Sequence, residues 1–179
     1  MLFIVRNLAA ATAAILLACA CQTRYFTMPN SSMEPTIQAG ERLKIDRTAY
    51  RSRLPERGEL VAFHPANHPE RLWILRVVAL PGERLSVDQG HLVADGMPLA
   101  CAWEPVSEDS SRHLASRGEL PMRIPHGEYF VLGDNVREAN DSRFWGTIRV
   151  SCIIGQVVPQ DEDPSDRFSL PDDRVGRSR

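Results

Sequence analysis

Ser32, held in the run Pro29-Asn30-Ser31-Ser32-Met33-Glu34-Pro35-Thr36, is the residue with the most chemistry to offer. A serine hydroxyl attacks a carbonyl only when a neighbouring group takes its proton. The supply of bases is therefore the first question. Lys44 is the sole lysine, and His64 and His68 follow the apolar run Val61-Ala62-Phe63. Taken singly, each has a plain reading. Ser32 is a turn hydroxyl beside a proline, Lys44 a solvated residue of an edge strand, and the two histidines belong to a surface loop. Asp134, Asp141, Arg143 and Arg76 read by default as structural charges. No HExxH or CxxC spacing occurs, so neither a metal site nor a cofactor is expected.

The elements that must position these residues are short. Leu43-Ile45, Leu60-Phe63, Leu72-Leu80, Leu85-Val87, Tyr129-Leu132 and Ile153-Val158 are apolar runs rich in Val, Ile and Leu, each bounded by turn residues. That pattern predicts a mainly β protein. Asp95-Gly96, between His91-Ala94 and Met97-Leu99, predicts a hairpin closed by a type I′ turn. The polar stretch 104–123 reads as a surface insertion. The tail 160–179, acidic and then basic with little apolar content, reads as disordered.

A chain of 179 residues with 43% apolar content suits one domain with appendages. Its net charge of −2 carries no long block of one sign, so nucleic acid is not an expected partner. Residues 1–24 hold one strongly hydrophobic stretch, Leu2 to Cys21, broken only by Arg6 and Asn7. About 20 apolar residues span a bilayer as a helix. The stretch reads as a retained membrane helix, as a cleaved secretory signal, or as a lipoprotein signal with a lipobox ending at Cys19. All three send the rest of the chain out of the cytoplasm. Cys101 and Cys152 then form an even pair that either bridges or stays as two thiols.

Three separated segments, in order, resemble the bacterial type I signal peptidases. The Ser32 run is similar to the family's nucleophile box, in which the serine before methionine attacks the scissile carbonyl. Arg76-Val77-Val78-Ala79-Leu80-Pro81-Gly82-Glu83 resembles the second box. Gly133-Asp134-Asn135 with Asp141-Ser142-Arg143-Phe144-Trp145-Gly146 resembles the closing box. The intervening segments Gly40-Glu41-Arg42 to Tyr50 and Arg57 to Phe63 agree, so the likeness covers roughly 27–158 within an expected domain of 25–159. It implies a complex β fold after an N-terminal hydrophobic helix. It also implies that Asp134, Asp141, Arg143 and Arg76 form buried ion pairs that shape the site.

Two departures bear on mechanism. The family places its general-base lysine immediately before the arginine of the second box, where this chain has Leu75. The serine that orients that lysine falls seven residues before the final glycine, where this chain has Ala139. Guanidinium does not deprotonate in proteins, so Arg76 is no substitute. Replacing both members of a buried polar pair by apolar groups leaves no orphan, so the fold should survive while the dyad does not. Lys44, His64 and His68 are the remaining candidates for the base. Eukaryotic relatives use a histidine, although at the lysine position. For the oxyanion, the resemblance points to the Ser32 backbone N–H and to Asn30, whose amide is a competent donor. Asn30 is equally well explained as the cap of a turn.

The resemblance implies a serine endopeptidase that processes exported precursors after small residues at the bacterial cytoplasmic membrane, its catalytic domain on the outer side. Membrane lipid and signal peptides are its implied partners. The competing expectation is a catalytically dead relative that binds exported proteins as a chaperone or assembly factor. A self-cleaving regulator, as in repressors with a related β core, is disfavoured by the hydrophobic segment and by the lack of a DNA-binding motif.

Overall fold

The computed structural model of the chain describes residues 23–88, 91–101, 104–105 and 120–158. The whole hydrophobic stretch from Leu2 to Cys21, including Cys19, most of the 104–123 stretch and the whole 160–179 tail lie outside the described residues. Among the described residues, no helix is long and apolar enough to cross a membrane.

Among the described residues thirteen strands follow one another: β1 (Thr23–Thr27), β2 (Arg42–Asp46), β3 (Leu60–Phe63), β4 (Trp73–Ala79), β5 (Arg84–Asp88), β6 (His91–Ala94), β7 (Met97–Pro98), β8 (Ala100–Cys101), β9 (Glu104–Pro105), β10 (Met122–Arg123), β11 (Glu128–Leu132), β12 (Ile148–Arg149) and β13 (Ile153–Val158). Among the described residues one short α-helix, α1 (Ser142–Trp145), precedes β12. The chain is mainly β, as its apolar pattern predicts. A seven-stranded sheet runs β1-β2-β13-β3-β4-β11-β12, a four-stranded sheet β10-β5-β6-β7, and β8 pairs with β9.

Burial follows position in the sheet. The four residues of β3, flanked by β13 and β4, are all buried, which is why Leu60-Phe63 is an unbroken apolar run. In β2 burial alternates, Leu43 and Ile45 inward, Arg42 and Lys44 outward. Lys44 is thus solvated as expected. Its strand is not an edge, however, because β2 pairs with both β1 and β13 and the edge is β1. Polar, half-exposed Thr23–Thr27 carries no alternation strong enough to announce a strand. It forms one because β2 offers it a ladder.

The hairpin at 95–96 closes as its sequence demands. Asp95 (φ 48°) and Gly96 (φ 80°) both take positive φ, the signature of a type I′ turn. Cys152 carries a free thiol, and the side chain of Cys101 lies outside what the structure describes.

Two apolar clusters fill the molecule. The one beneath the large sheet includes Met33, Ile37, Val61, Phe63, Leu75 and Tyr129, and the other lies under the smaller sheet around Leu85, Leu92, Ile124 and Phe130. Phe63, Trp73 and Trp145 meet edge-on or tilted, with ring centroids 5.8–6.2 Å apart. Each such contact is worth about 0.5–1.5 kcal/mol beyond area burial. Together they fasten α1 to β3 and β4.

Candidate active site

Ser32 sits on the turn that leaves β1. Met28 N–H donates to Glu41 O (2.8 Å) and Gly40 N–H to Met28 O (2.7 Å), closing the loop's base. Met33 and Ile37 are fully buried, and Ile37 N–H donates to Met33 O at 3.0 Å. The methionine after the serine is thus an anchor. It pulls one side of the turn into the core and leaves Ser32 half-buried at the rim.

Ser32 and Asn30 line a cavity of about 460 Å³ together with Phe26, Thr27, Met28 and Pro29, with Arg71, Leu72, Trp73, Ile74 and Leu75 along β4 and its approach, and with Glu138 and Asn140. The two boxes around Ser32 and Leu75, more than 40 positions apart, therefore meet at one opening. Leu75 is 2% exposed and Ala139 5%. Both positions at which the resemblance leads one to expect a polar dyad are buried and apolar here.

The closing-box segment is tied to the Ser32 loop through backbone. Asn135 N–H donates to Ser32 O at 3.0 Å, and Asn135 Nδ2 donates to Ser31 O at 3.1 Å. Asn135 O in turn accepts from Glu138 N–H (3.2 Å) and Ala139 N–H (3.0 Å). Gly133 makes this approach feasible. A Cβ there would stand 2.2 Å from the Ala139 Cβ and 2.6 Å from Ser32 O.

Two ion pairs hold the surrounding frame. Arg76 Nε donates to Asp134 Oδ1 at 2.7 Å and its Nη2 to Asp134 Oδ2, a bidentate fork, while Nη1 reaches Gly58 O at 2.7 Å. Because residues alternate along β4, Arg76 reaches this pair while its neighbour Leu75 faces the cavity. Arg143 Nε and Nη2 grip Asp141 at 2.7 and 2.8 Å, with Asp141 fully buried and Arg143 nearly so. Asp141 Oδ2 also accepts from Gly133 N–H (3.1 Å), and Arg143 Nη2 donates to Val136 O (2.8 Å). The 133–141 turn is thereby fixed from inside.

The two groups named for the oxyanion, Asn30 and the Ser32 N–H, bond to each other. Ser32 N–H donates to Asn30 Oδ1 at 3.1 Å, an Asx turn. Asn30 does cap a turn, and the backbone donor assigned to the oxyanion is already in use. The three base candidates are not among the residues that line the cavity. His64 Nδ1 bonds to Arg71 O (2.7 Å), and His68 Nδ1 lies 3.5 Å from Glu70 Oε1. Lys44 points outward from β2. Sequence reasoning missed Glu138 and Asn140, which belong to an aperiodic loop. The one available signal was that they flank Ala139, the position already marked by the closing box.

The profile of the family described as signal peptidase, peptidase S26 matches residues 2–159. Among curated proteins, the chain is 35% identical over 144 residues to a probable signal peptidase I-2 of Synechocystis sp., covering 76% of this chain and 61% of that one. It is 35% identical over 141 residues to a probable signal peptidase I-1 of the same organism, covering 73% and 67%. The chain thus spans about two thirds of the length of these relatives. A solved signal peptidase I from Enterococcus faecalis covers 58% of this chain at 23% identity with a TM-score of 0.42, a likeness too slight to argue from. The first box lines the cavity, Leu75 beside the second box and Glu138 and Asn140 between the two parts of the closing box line it as well, and the profile matches nearly the whole chain: this chain belongs to the signal peptidase family, peptidase S26.

Proposed function

We propose that the protein is a signal peptidase I-type serine endopeptidase that cleaves exported precursors after small residues, with Ser32 as nucleophile. The observation that carries this reading is the half-buried Ser32 at the rim of an open cavity whose other wall is β4. Among the described residues β1 ends the large sheet, which supports an extended peptide pairing along it. Exported precursors bearing signal peptides, presented at the bacterial membrane on its outer side, are the proposed substrates. Membrane lipid is a proposed partner of the 1–24 segment, the 25–159 segment being the proposed catalytic domain.

In the reaction, Ser32 Oγ bonds to the scissile carbonyl carbon while its proton passes to a base, and the carbonyl oxygen takes the negative charge. For donors to meet that charge, the Asn30–Ser32 contact must open, freeing the Ser32 N–H and turning Asn30 Nδ2 inward. Collapse expels the amine end of the mature protein, and water then hydrolyses the acyl-enzyme. Arg76–Asp134 and Asp141–Arg143 act at a distance, by holding the turn that carries Ala139 against the Ser32 loop.

The missing lysine sets the expected pace. Loss of a general base lowers a rate by about 10²–10⁴. Donors and binding alone retain roughly 10³–10⁴ over water. The test is maturation of an exported precursor in cells depleted of their own signal peptidase and supplied with this chain. Maturation that disappears with Ser32→Ala supports the reading. Unprocessed precursor that co-purifies with the protein would instead mark a binding relative.

A further inference from the structure

We infer that the Glu138 carboxylate takes the proton from Ser32 Oγ, directly or through one water, in place of the absent amine; this rests on the peptidase reading above. Among the described residues lining the Ser32 cavity, only Arg71 and Glu138 carry charge, and guanidinium accepts no proton. A carboxylate is left as the one side chain there able to do so at neutral pH.

Glu138 and Ser32 line one cavity, and backbone bonds link their segments. Asn135 bonds to the carbonyls of Ser31 and Ser32, and its own carbonyl receives the Glu138 N–H at 3.2 Å. The turn carrying Glu138 is thus fastened to the loop carrying Ser32, and the buried Arg143–Asp141 pair keeps that turn from shifting. The Glu138 carboxylate has no hydrogen-bond or ion-pair partner among the described residues, so no structural task already occupies it. Leu75, which lines the cavity, and Ala139 are both buried and apolar, so neither offers a competing proton acceptor.

The step balances without any outside reagent. The Ser32 O–H bond breaks as Oγ joins the carbonyl carbon, and the proton goes to Glu138. It passes next to the nitrogen of the departing chain as the C–N bond breaks. In deacylation, Glu138 takes a proton from the attacking water and returns it to Ser32 Oγ.

The test uses the full chain in lipid bilayers with a precursor bearing an Ala-x-Ala junction, comparing kcat and KM for the native protein, Glu138→Gln, Glu138→Asp and Ser32→Ala. Glu138→Gln is nearly isosteric at an exposed loop position, and an unchanged melting temperature verifies that it folds. The expected result is a kcat lower by about 10²-fold or more with KM little changed, and partial activity in Glu138→Asp. Adding Leu75→Lys with Ala139→Ser to Glu138→Gln should return activity, because an amine then stands in the family's place. Ser32-dependent cleavage that Glu138→Gln leaves within about threefold of native, well short of a lost general base, overturns Glu138 and leaves the peptidase reading intact. No Ser32-dependent cleavage by the native protein overturns both.

Discussion

At the scale of single residues, the site is set by what Ser32, Asn30 and Leu75 each offer. Asn30 has two opposed duties: its Oδ1 holds the Ser32 N–H at rest, and its Nδ2 is the donor proposed for the oxyanion. Substitution separates them. Asn30→Asp keeps the Asx acceptor, removes the donor and sets a carboxylate against developing negative charge. We expect kcat to fall by about 10²–10³, and further than in Asn30→Ala, which frees the backbone N–H; steady-state kinetics on both variants checks the order. The dyad positions give the opposite experiment. Leu75→Lys with Ala139→Ser places an amine where burial lowers its pKa toward neutrality. Turnover should rise by about 10²-fold if a well-matched base is what the native site lacks. An unchanged rate in a folded double variant would mean that more than the dyad has been lost.

At the scale of elements, the closing-box turn depends on its buried charges and on one glycine. Arg143→Ala would strand the fully buried Asp141, a loss of about 3–5 kcal/mol measurable by denaturant unfolding. Gly133→Ala forces a methyl into the Ser32 carbonyl and Ala139, and overpacking of this kind costs about 1–3 kcal/mol. Activity should fall more than stability, because the displaced atoms belong to the nucleophile loop.

The legibility of these elements in sequence follows their physics. Leu60-Phe63 was readable because a central strand needs an unbroken apolar run, and Asp95-Gly96 because a type I′ turn needs positive φ at both positions. Thr23–Thr27 was not, since a half-exposed edge strand needs no pattern of its own. For the site, the ordered boxes single out Ser32 as the proposed nucleophile and Leu75 as the position where the resemblance leads one to expect an amine, and folding brings both to one cavity. Glu138 was not legible, because a loop carboxylate acquires meaning only when folding brings it to the cavity.

At the scale of the whole molecule, acid stability turns on Glu59, which joins the 50–57 loop to β3 and β13. Burial pushes its carboxyl up. The Arg53 guanidinium at 2.7 and 3.0 Å, the Glu56 N–H and the Tyr50 hydroxyl push harder the other way and hold it below the usual carboxylate range. Asp46 is lowered too, through the Thr48 hydroxyl and N–H. A carboxyl lowered by folding lends stability above its unfolded pKa, about 4.3 for glutamate. That stability is lost as pH falls through the lower folded value. Thermal melts should therefore be flat near neutrality and drop on acidification below pH ~4, and Glu59→Gln should lower the neutral plateau and flatten the drop.

The account as a whole stands on Ser32 opening a peptide bond, and the most direct measurement is mass spectrometry of products from the purified protein and a precursor. We expect a new amino terminus immediately after the Ala-x-Ala junction, growing with time and missing with Ser32→Ala. Cleavage at that junction that persists undiminished in Ser32→Ala, or none at all from the native protein, would contradict it.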